Sequence, residues 1–369
     1  MAQTQKAQNT GPELLQKVFA GAHKFPVSDI HFKVGEAPFY RIYGELKRLN
    51  SSPLSSEDLS VIAKTLRPDF EQIQRENSRK QWDFSVASKG LGRFRVSIFR
   101  QKDTIAMVLR VIPIEIPSFT QLRLPLAIKR IANFDRGLLL VTGSTGMGKS
   151  TTIASMLDFV NKTWCKHILT IEDPIEFVIL SDKSSVSQRE IGRDVEDFHS
   201  GLWAAMRQDP DIIFIGEIRD AKTMDVAIQA AETGHFVVST VHTPDITRTI
   251  SRVISLFPSE DQHMIRTRLA ENLKAIVSQN LLPRKDQAGR VLATEILITN
   301  YSIQECIRDP DGTPQDLLRH IENGMDEYQM QTFEHDLISL LKEGLITMDV
   351  AKGAARSPSD FAKSLDLTR

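Results

Sequence analysis

Apolar positions in the first third of the chain change period several times, and each change marks an element. Between residues 12 and 22, Leu14, Leu15, Val18 and Phe19 share one side of a 3.6-residue repeat, which predicts an amphipathic helix. Residues 29–34 and 39–46 alternate instead, predicting two strands separated by Gly35-Glu36-Ala37-Pro38. Ser55-Ser56-Glu57-Asp58 is a helix-start signal for a helix reaching Leu66, and a second, polar helix is expected after Pro68. Strand-like runs follow at 82–87, 93–99 and 105–112. Helices combined with an antiparallel sheet predict a compact α+β domain over residues 1–113.

The run from Ile112 to Ser118 loses the period and holds two prolines, so residues 114–125 read as a linker. Beyond Pro125 the pattern becomes alternating strands and helices. Apolar strands are expected at 137–142, 167–171, 211–215 and 235–241. Such continuous apolar runs imply a mostly parallel sheet with helices on both faces, an α/β core over residues 126–300. Residues 301–369 read as a helical part made of short helices, with Gly344 as a stop signal.

The length of 369 residues suits two domains with appendages. A 41% apolar and 25% charged composition excludes wholesale disorder. Lys plus Arg number 46 against 47 acids, whereas a protein that grips a phosphate backbone carries a basic excess, so no nucleic-acid partner is expected. Two cysteines, Cys165 and Cys306, exclude a disulfide framework and a four-cysteine zinc site. Residues 1–10 are polar, and the longest apolar runs fall far short of the ~20 residues that span a bilayer. A cytoplasmic location is expected, peripheral to a membrane through partners.

Gly143-Ser144-Thr145-Gly146-Met147-Gly148-Lys149-Ser150-Thr151 fits the phosphate-binding pattern G-x-x-x-x-G-K-[ST]. An apolar strand leads into it and a helical run leaves it, which is the context the pattern needs. Glycines let successive backbone N–H groups turn inward around phosphates at a helix start. Lys149 supplies a point charge to the outer phosphates, and Ser150 a hydroxyl ligand for Mg²⁺. Met147 stands where a small residue is usual, and its side chain is expected to point outward. The strand 212–215 ends in Gly216-Glu217, a carboxylate in reach of Mg²⁺ or its water shell. A second acidic cluster, Glu172-Asp173-Pro174-Ile175-Glu176, follows the strand 167–171, and one of its acids can polarise an attacking water. Residue types alone leave Glu172 and Glu176 as equal candidates. His242, at the end of the strand 235–241, is placed to sense or stabilise a γ-phosphate. In the first domain Arg95 and Arg110 lie on neighbouring predicted strands, and composition alone makes them solvated surface arginines.

Taken together, these motifs resemble the secretion-type ATPases, within them the PilT/PilU branch that powers type IV pilus retraction. The resemblance runs from about residue 11 to about residue 363. It is carried by Ser28-Asp29-Ile30-His31, Gly92-Arg93-Phe94-Arg95-Val96-Ser97, the phosphate loop and Thr170-Ile171-Glu172-Asp173-Pro174-Ile175-Glu176-Phe177. Gln188-Arg189-Glu190, Gly216-Glu217, Ala231-Glu232-Thr233-Gly234-His235 and His242 complete it. The resemblance implies a PAS-like first domain, a RecA-like ATPase core, ATP bound between the two, and a homo-hexameric ring. It also implies that Glu176 is the catalytic glutamate, Glu217 the Walker B carboxylate and His242 the histidine-box residue, with Arg95 and Arg110 reaching the γ-phosphate. The function implied is ATP hydrolysis driving pilin disassembly and twitching motility. Implied partners are an inner-membrane, PilC-like pilus platform protein and a paralogous retraction ATPase.

Assembly and type II secretion motors of this superfamily carry a tetracysteine element after the histidine box. Here no cysteine lies between His242 and Asn300, which speaks against that alternative. A nucleotide-gated accessory subunit with little turnover is a further alternative. At residues 302–309 the chain keeps only Ile303, Ile307 and Arg308 of the retraction motor's C-terminal motif, and this leans toward a PilU-like motor.

Overall fold

The computed structural model describes residues 11–25, 27–42, 44–76, 80–88, 92–112, 115–286, 289–359 and 361–362. The chain divides between residues 115 and 116 into two compact units.

In the first unit a helix, Gly11–Lys24, precedes β1 (Val27–Lys33), β2 (Phe39–Ile42) and β3 (Glu45–Arg48). Two further helices, Ser56–Leu66 and Phe70–Glu76, lead to β4 (Gln81–Ser88), β5 (Gly92–Gln101) and β6 (Thr104–Ile112). All strands pair antiparallel in the order β3-β2-β1-β6-β5-β4. Alternation decides the faces. Ile30, Phe32, Phe94, Val96, Ile98, Met107 and Leu109 are buried, and Leu15, Val18 and Phe19 of the first helix join the same core. Ser55 and Asp58 close a reciprocal capping box at the helix start, satisfying two otherwise orphan N–H groups. The single strand expected over 39–46 is instead two, paired with Ile42 opposite Glu45. Gly44 takes a φ of +88°, open to glycine at no steric cost, and the chain reverses there.

The second unit is built on β7 (Gly137–Thr142), β8 (His167–Glu172), β9 (Ser185–Glu190), β10 (Ile212–Ile215), β11 (Phe236–Val241), β12 (Leu273–Pro283) and β13 (Arg290–Ile298). Their order is β13-β12-β7-β11-β10-β8-β9, parallel throughout except for the antiparallel β12–β13 pair. Every residue of β7, β10 and β11 is buried, as strands covered on both faces require. Each such Leu, Ile or Val contributes about 1.5–3 kcal/mol relative to exposure. This is why the central strands are legible as unbroken apolar runs.

The edge strand β13 is covered by the end of the chain. Asp336, near the start of the helix Phe333–Lys342, accepts a hydrogen bond from the Thr294 backbone N–H at 2.6 Å. Leu282, Val291 and Ala293 pack with Phe333, Leu337 and Phe361 in a satellite core. Glu295, fully buried on β13, pairs with Arg356 and accepts from the Ile246 N–H at 3.0 Å. Among the described residues no helix is long and apolar enough to cross a membrane.

Candidate functional site

Four adjacent parallel strands of the second unit end on one edge of the sheet, where α/β folds gather ligands. β7 runs into the loop 143–148, β8 ends at Glu172, β10 leads to Gly216-Glu217, and β11 to His242. The loop opens the helix Lys149–Thr163, with Gly148 in the left-handed region at its N-cap. Gly143 has a φ of +142°, and a Cβ there would stand 2.6 Å from the Gln279 carbonyl oxygen, so only glycine fits. Lys149 is 7% exposed and donates to the carbonyls of Gly143 (2.8 Å) and Ser144 (3.1 Å). Burial pulls its ammonium below the usual lysine range, while Glu176 and Glu217 pull it back up. Both acids therefore act electrostatically on the lysine of the phosphate loop.

His242 Nδ1 lies 3.4 Å from Lys149 Nζ. An ammonium only donates, so Nδ1 accepts and the ring proton of a neutral His242 sits on Nε2. That nitrogen is 3.3 Å from Glu217 Oε2, while Glu217 Oε1 pairs with Arg219 at 2.6 Å. Glu217 Oε2 is nonetheless a buried carboxylate oxygen with no aligned hydrogen-bond donor. A hard cation or its water shell is the partner such an oxygen suits, and Mg²⁺ is of that kind.

The structure separates the two acids that residue types left equal. Glu172 is 6% exposed; its Oε1 accepts from Thr170 Oγ1 at 2.7 Å and from Gln188 Nε2 at 3.2 Å, and its Oε2 from the Glu176 N–H at 3.4 Å. Both acids border one small cleft with Ser150, but Glu176 is exposed there where Glu172 is buried. Glu172 is thus an anchor, and Glu176 is the acid open to ligand and water. Burial pushes the Glu172 carboxyl up to about 7. A raised carboxyl stabilises the fold while protonated, so this contribution is present below about pH 4.5 and is lost as pH rises through about 7. Accordingly, the stability of the parent protein minus that of Glu172→Gln should fall by about 3 kcal/mol across that window. Urea unfolding of both proteins at pH 5 and pH 8 checks this, and a pH-independent difference would refute it.

Sequence reasoning missed the hairpin that braces the phosphate loop. Gln279 on β12 donates from Nε2 to Thr152 Oγ1 at 2.7 Å, and Arg290 on β13 donates to the Gly146 carbonyl at 3.3 Å. Met147 does not point outward. Its sulfur accepts from the Leu281 N–H at 3.3 Å, so the long side chain ties the loop to β12. The apolar runs in 273–283 and 290–298 flanking a polar turn were the available signal. Beside the loop lies a cleft of about 160 Å³ lined by Gly148, Thr151, Leu281, Arg290 and Leu292 among others.

In the first unit, the outer face of the sheet carries a row of directly opposed residues: Arg95 on β5, Arg110 on β6, Asp29 on β1 and Arg41 on β2. Asp29 accepts from Arg110 Nε at 3.1 Å, and Arg41 Nε lies 4.0 Å from it. Held at Nε, Arg110 keeps its two terminal nitrogens for another acceptor, and its side chain is 68% exposed.

A phosphate loop, a strand-end carboxylate and a histidine on consecutive parallel strands define a P-loop nucleotide-binding protein. The family model for type II/IV secretion system proteins matches residues 5–321, and the chain belongs to that family. It is 40% identical to the type IV pilus retraction ATPase PilT of Pseudomonas aeruginosa over 94% of this chain and 99% of that one. The type IV pilus ATPase PilU of the same organism is 36% identical over 92% and 88%. A crystal structure of the pilus retraction motor PilT with bound ADP, 40% identical, superposes with a TM-score of 0.84 over 93% of this chain and 97% of that one.

Proposed function

We propose that this protein is a motor that hydrolyses ATP to ADP and phosphate and drives retraction of type IV pili. The observation that carries the reading is the chain Lys149–His242–Glu217 beside the phosphate loop, with Glu176 and Ser150 facing one cleft. Full-length similarity to PilT and PilU supports the pilus assignment, and the reading is made for the retraction class that these two relatives share.

In this reading the phosphates lie in the loop 143–151 and the base enters the cleft beside Leu281 and Leu292. Ser150 and Glu217 would hold Mg²⁺, which would supply positive charge to the phosphate oxygens. Glu176 orients the attacking water and accepts its proton. His242, fixed by Lys149 and facing Glu217, senses the γ-phosphate. Arg95 and Arg110 of the first unit neutralise charge developing on the transferring group, and loss of that group releases them. The resemblance to the retraction motors implies a homo-hexamer on an inner-membrane platform protein, and head-to-tail contacts would couple the cycle around such a ring.

Two measurements test the reading together. Phosphate release by the purified protein should require Mg²⁺, and light scattering with an ATP analogue should give a hexamer mass. A monomer at micromolar concentration, or no phosphate release, would remove the motor reading. Deleting the gene should leave surface pili that form but fail to retract; absent pili would favour an assembly motor.

A further inference from the structure

The segment Gln188-Arg189-Glu190 has no role in the cycle above, yet it lies against the loop that carries Glu176. It forms the end of the edge strand β9, with Gln188 opposite Thr170 and Glu190 opposite Glu172. The two-residue period of a strand puts Gln188 and Glu190 on one face and Arg189 on the other. Gln188 Oε1 accepts from the Ile179 N–H at 2.8 Å. Its Nε2 donates to the Phe177 carbonyl at 2.9 Å and to Glu172 Oε1 at 3.2 Å. Both amide hydrogens and the oxygen are engaged, so only one orientation of the carboxamide satisfies the set. Glu190 accepts from the Ile175 N–H at 3.2 Å, and Glu172 from the Glu176 N–H at 3.4 Å.

The loop is thereby held at 175, 176, 177 and 179, on both sides of the one exposed acid that lines the cleft with Ser150. Loop backbone this close to a sheet edge would otherwise leave N–H and C=O groups to water and the side chain of Glu176 without a fixed origin. A carboxamide is the group suited to this place, because it supplies two donors and an acceptor without charge beside the buried Glu172 carboxyl.

We propose that Gln188 is a positioning residue for hydrolysis. Its carboxamide clamps residues 177 and 179 to Glu172 and so fixes Glu176 relative to the phosphate loop. This rests on the reading of Glu176 as the residue that orients water. Gln188 borders the cleft but spends its carboxamide on Glu172, Phe177 and Ile179 and not on the phosphate loop, so its loss should appear in kcat and not in nucleotide affinity. A displacement of about 1 Å in a group that aligns a reactant costs about 10²-fold in rate.

The test compares the full-length parent, Gln188→Met, Gln188→Glu, Glu176→Gln and the double variant Gln188→Met/Glu176→Gln. The second substitution keeps size and the acceptor for Ile179 but loses both donors. Phosphate release, titration with a fluorescent ADP analogue and thermal melting are measured on each. Both Gln188 variants should lose about 10- to 100-fold in kcat and bind the ADP analogue within about 3-fold of the parent. In the Glu176→Gln background, Gln188→Met should cost less than about 3-fold, since two residues acting through one group are not additive. Near-parental kcat in a folded Gln188 variant would overturn the proposal. So would an equal loss in both backgrounds, or a loss of ADP binding in parallel with rate, either of which marks a merely structural residue. If Glu176→Gln itself turns over normally, the reading of Glu176 falls and this proposal falls with it, an outcome distinct from failure at Gln188 alone.

Discussion

Arg110→Ala should lower kcat by about 10³-fold while weakening ATP binding far less, because an arginine that meets the γ-phosphate acts chiefly on charge that develops in the transition state. Stability should shift little. The Arg110 side chain is 68% exposed, and its partner Asp29, although buried, keeps the Ser28 hydroxyl as a donor and Arg41 at 4.0 Å. Arg110→Lys keeps the charge but loses the fork, since an ammonium cannot give Nε to Asp29 and two terminal nitrogens to an anion together. It should recover only part of the rate. Steady-state phosphate release with the parent, Ala and Lys proteins decides the matter, with melting as the control for folding. A near-normal kcat in folded Arg110→Ala would return this residue to the class of solvated strand arginines.

For Glu176→Gln, hydrolysis should fall by about 10²-fold or more, since the carboxylate that orients water and accepts its proton is gone. ATP binding should survive, because Lys149, the loop glycines and Ser150 are untouched, leaving protein held in its ATP state. Glu217→Gln should in addition raise the Mg²⁺ concentration needed for half-maximal rate, as its orphan carboxylate oxygen is the one suited to the metal's shell. Glu172→Gln should cost far less than Glu176→Gln, because the amide oxygen still accepts from Thr170 and Gln188 and only the long 3.4 Å bond from the Glu176 N–H is lost. Rates measured across a Mg²⁺ series separate the three. Loss in Glu172→Gln with normal turnover in Glu176→Gln would exchange the two roles.

Parts whose signal is local could be read directly along the chain. The phosphate loop is contiguous, its glycines recur at fixed spacing within nine residues, and its entry strand is an unbroken apolar run because helices cover both sheet faces. The strand ends at Glu217 and His242 were legible for the same reason. Signals that depend on what lies opposite were not legible. The β12–β13 hairpin is assigned to the sheet by pairing with β7, 130 or so residues earlier in the chain, and its Gln279 and Arg290 meet the phosphate loop only once that pairing exists. Met147 reads as an outward side chain until Leu281 supplies a donor for its sulfur. Glu172 and Glu176 are chemically the same residue four positions apart. Folding tells them apart by burying Glu172 under three hydrogen bonds from Thr170, Gln188 and the loop backbone and leaving Glu176 exposed, because burial and the partners it brings are set by long-range packing and not by residue type.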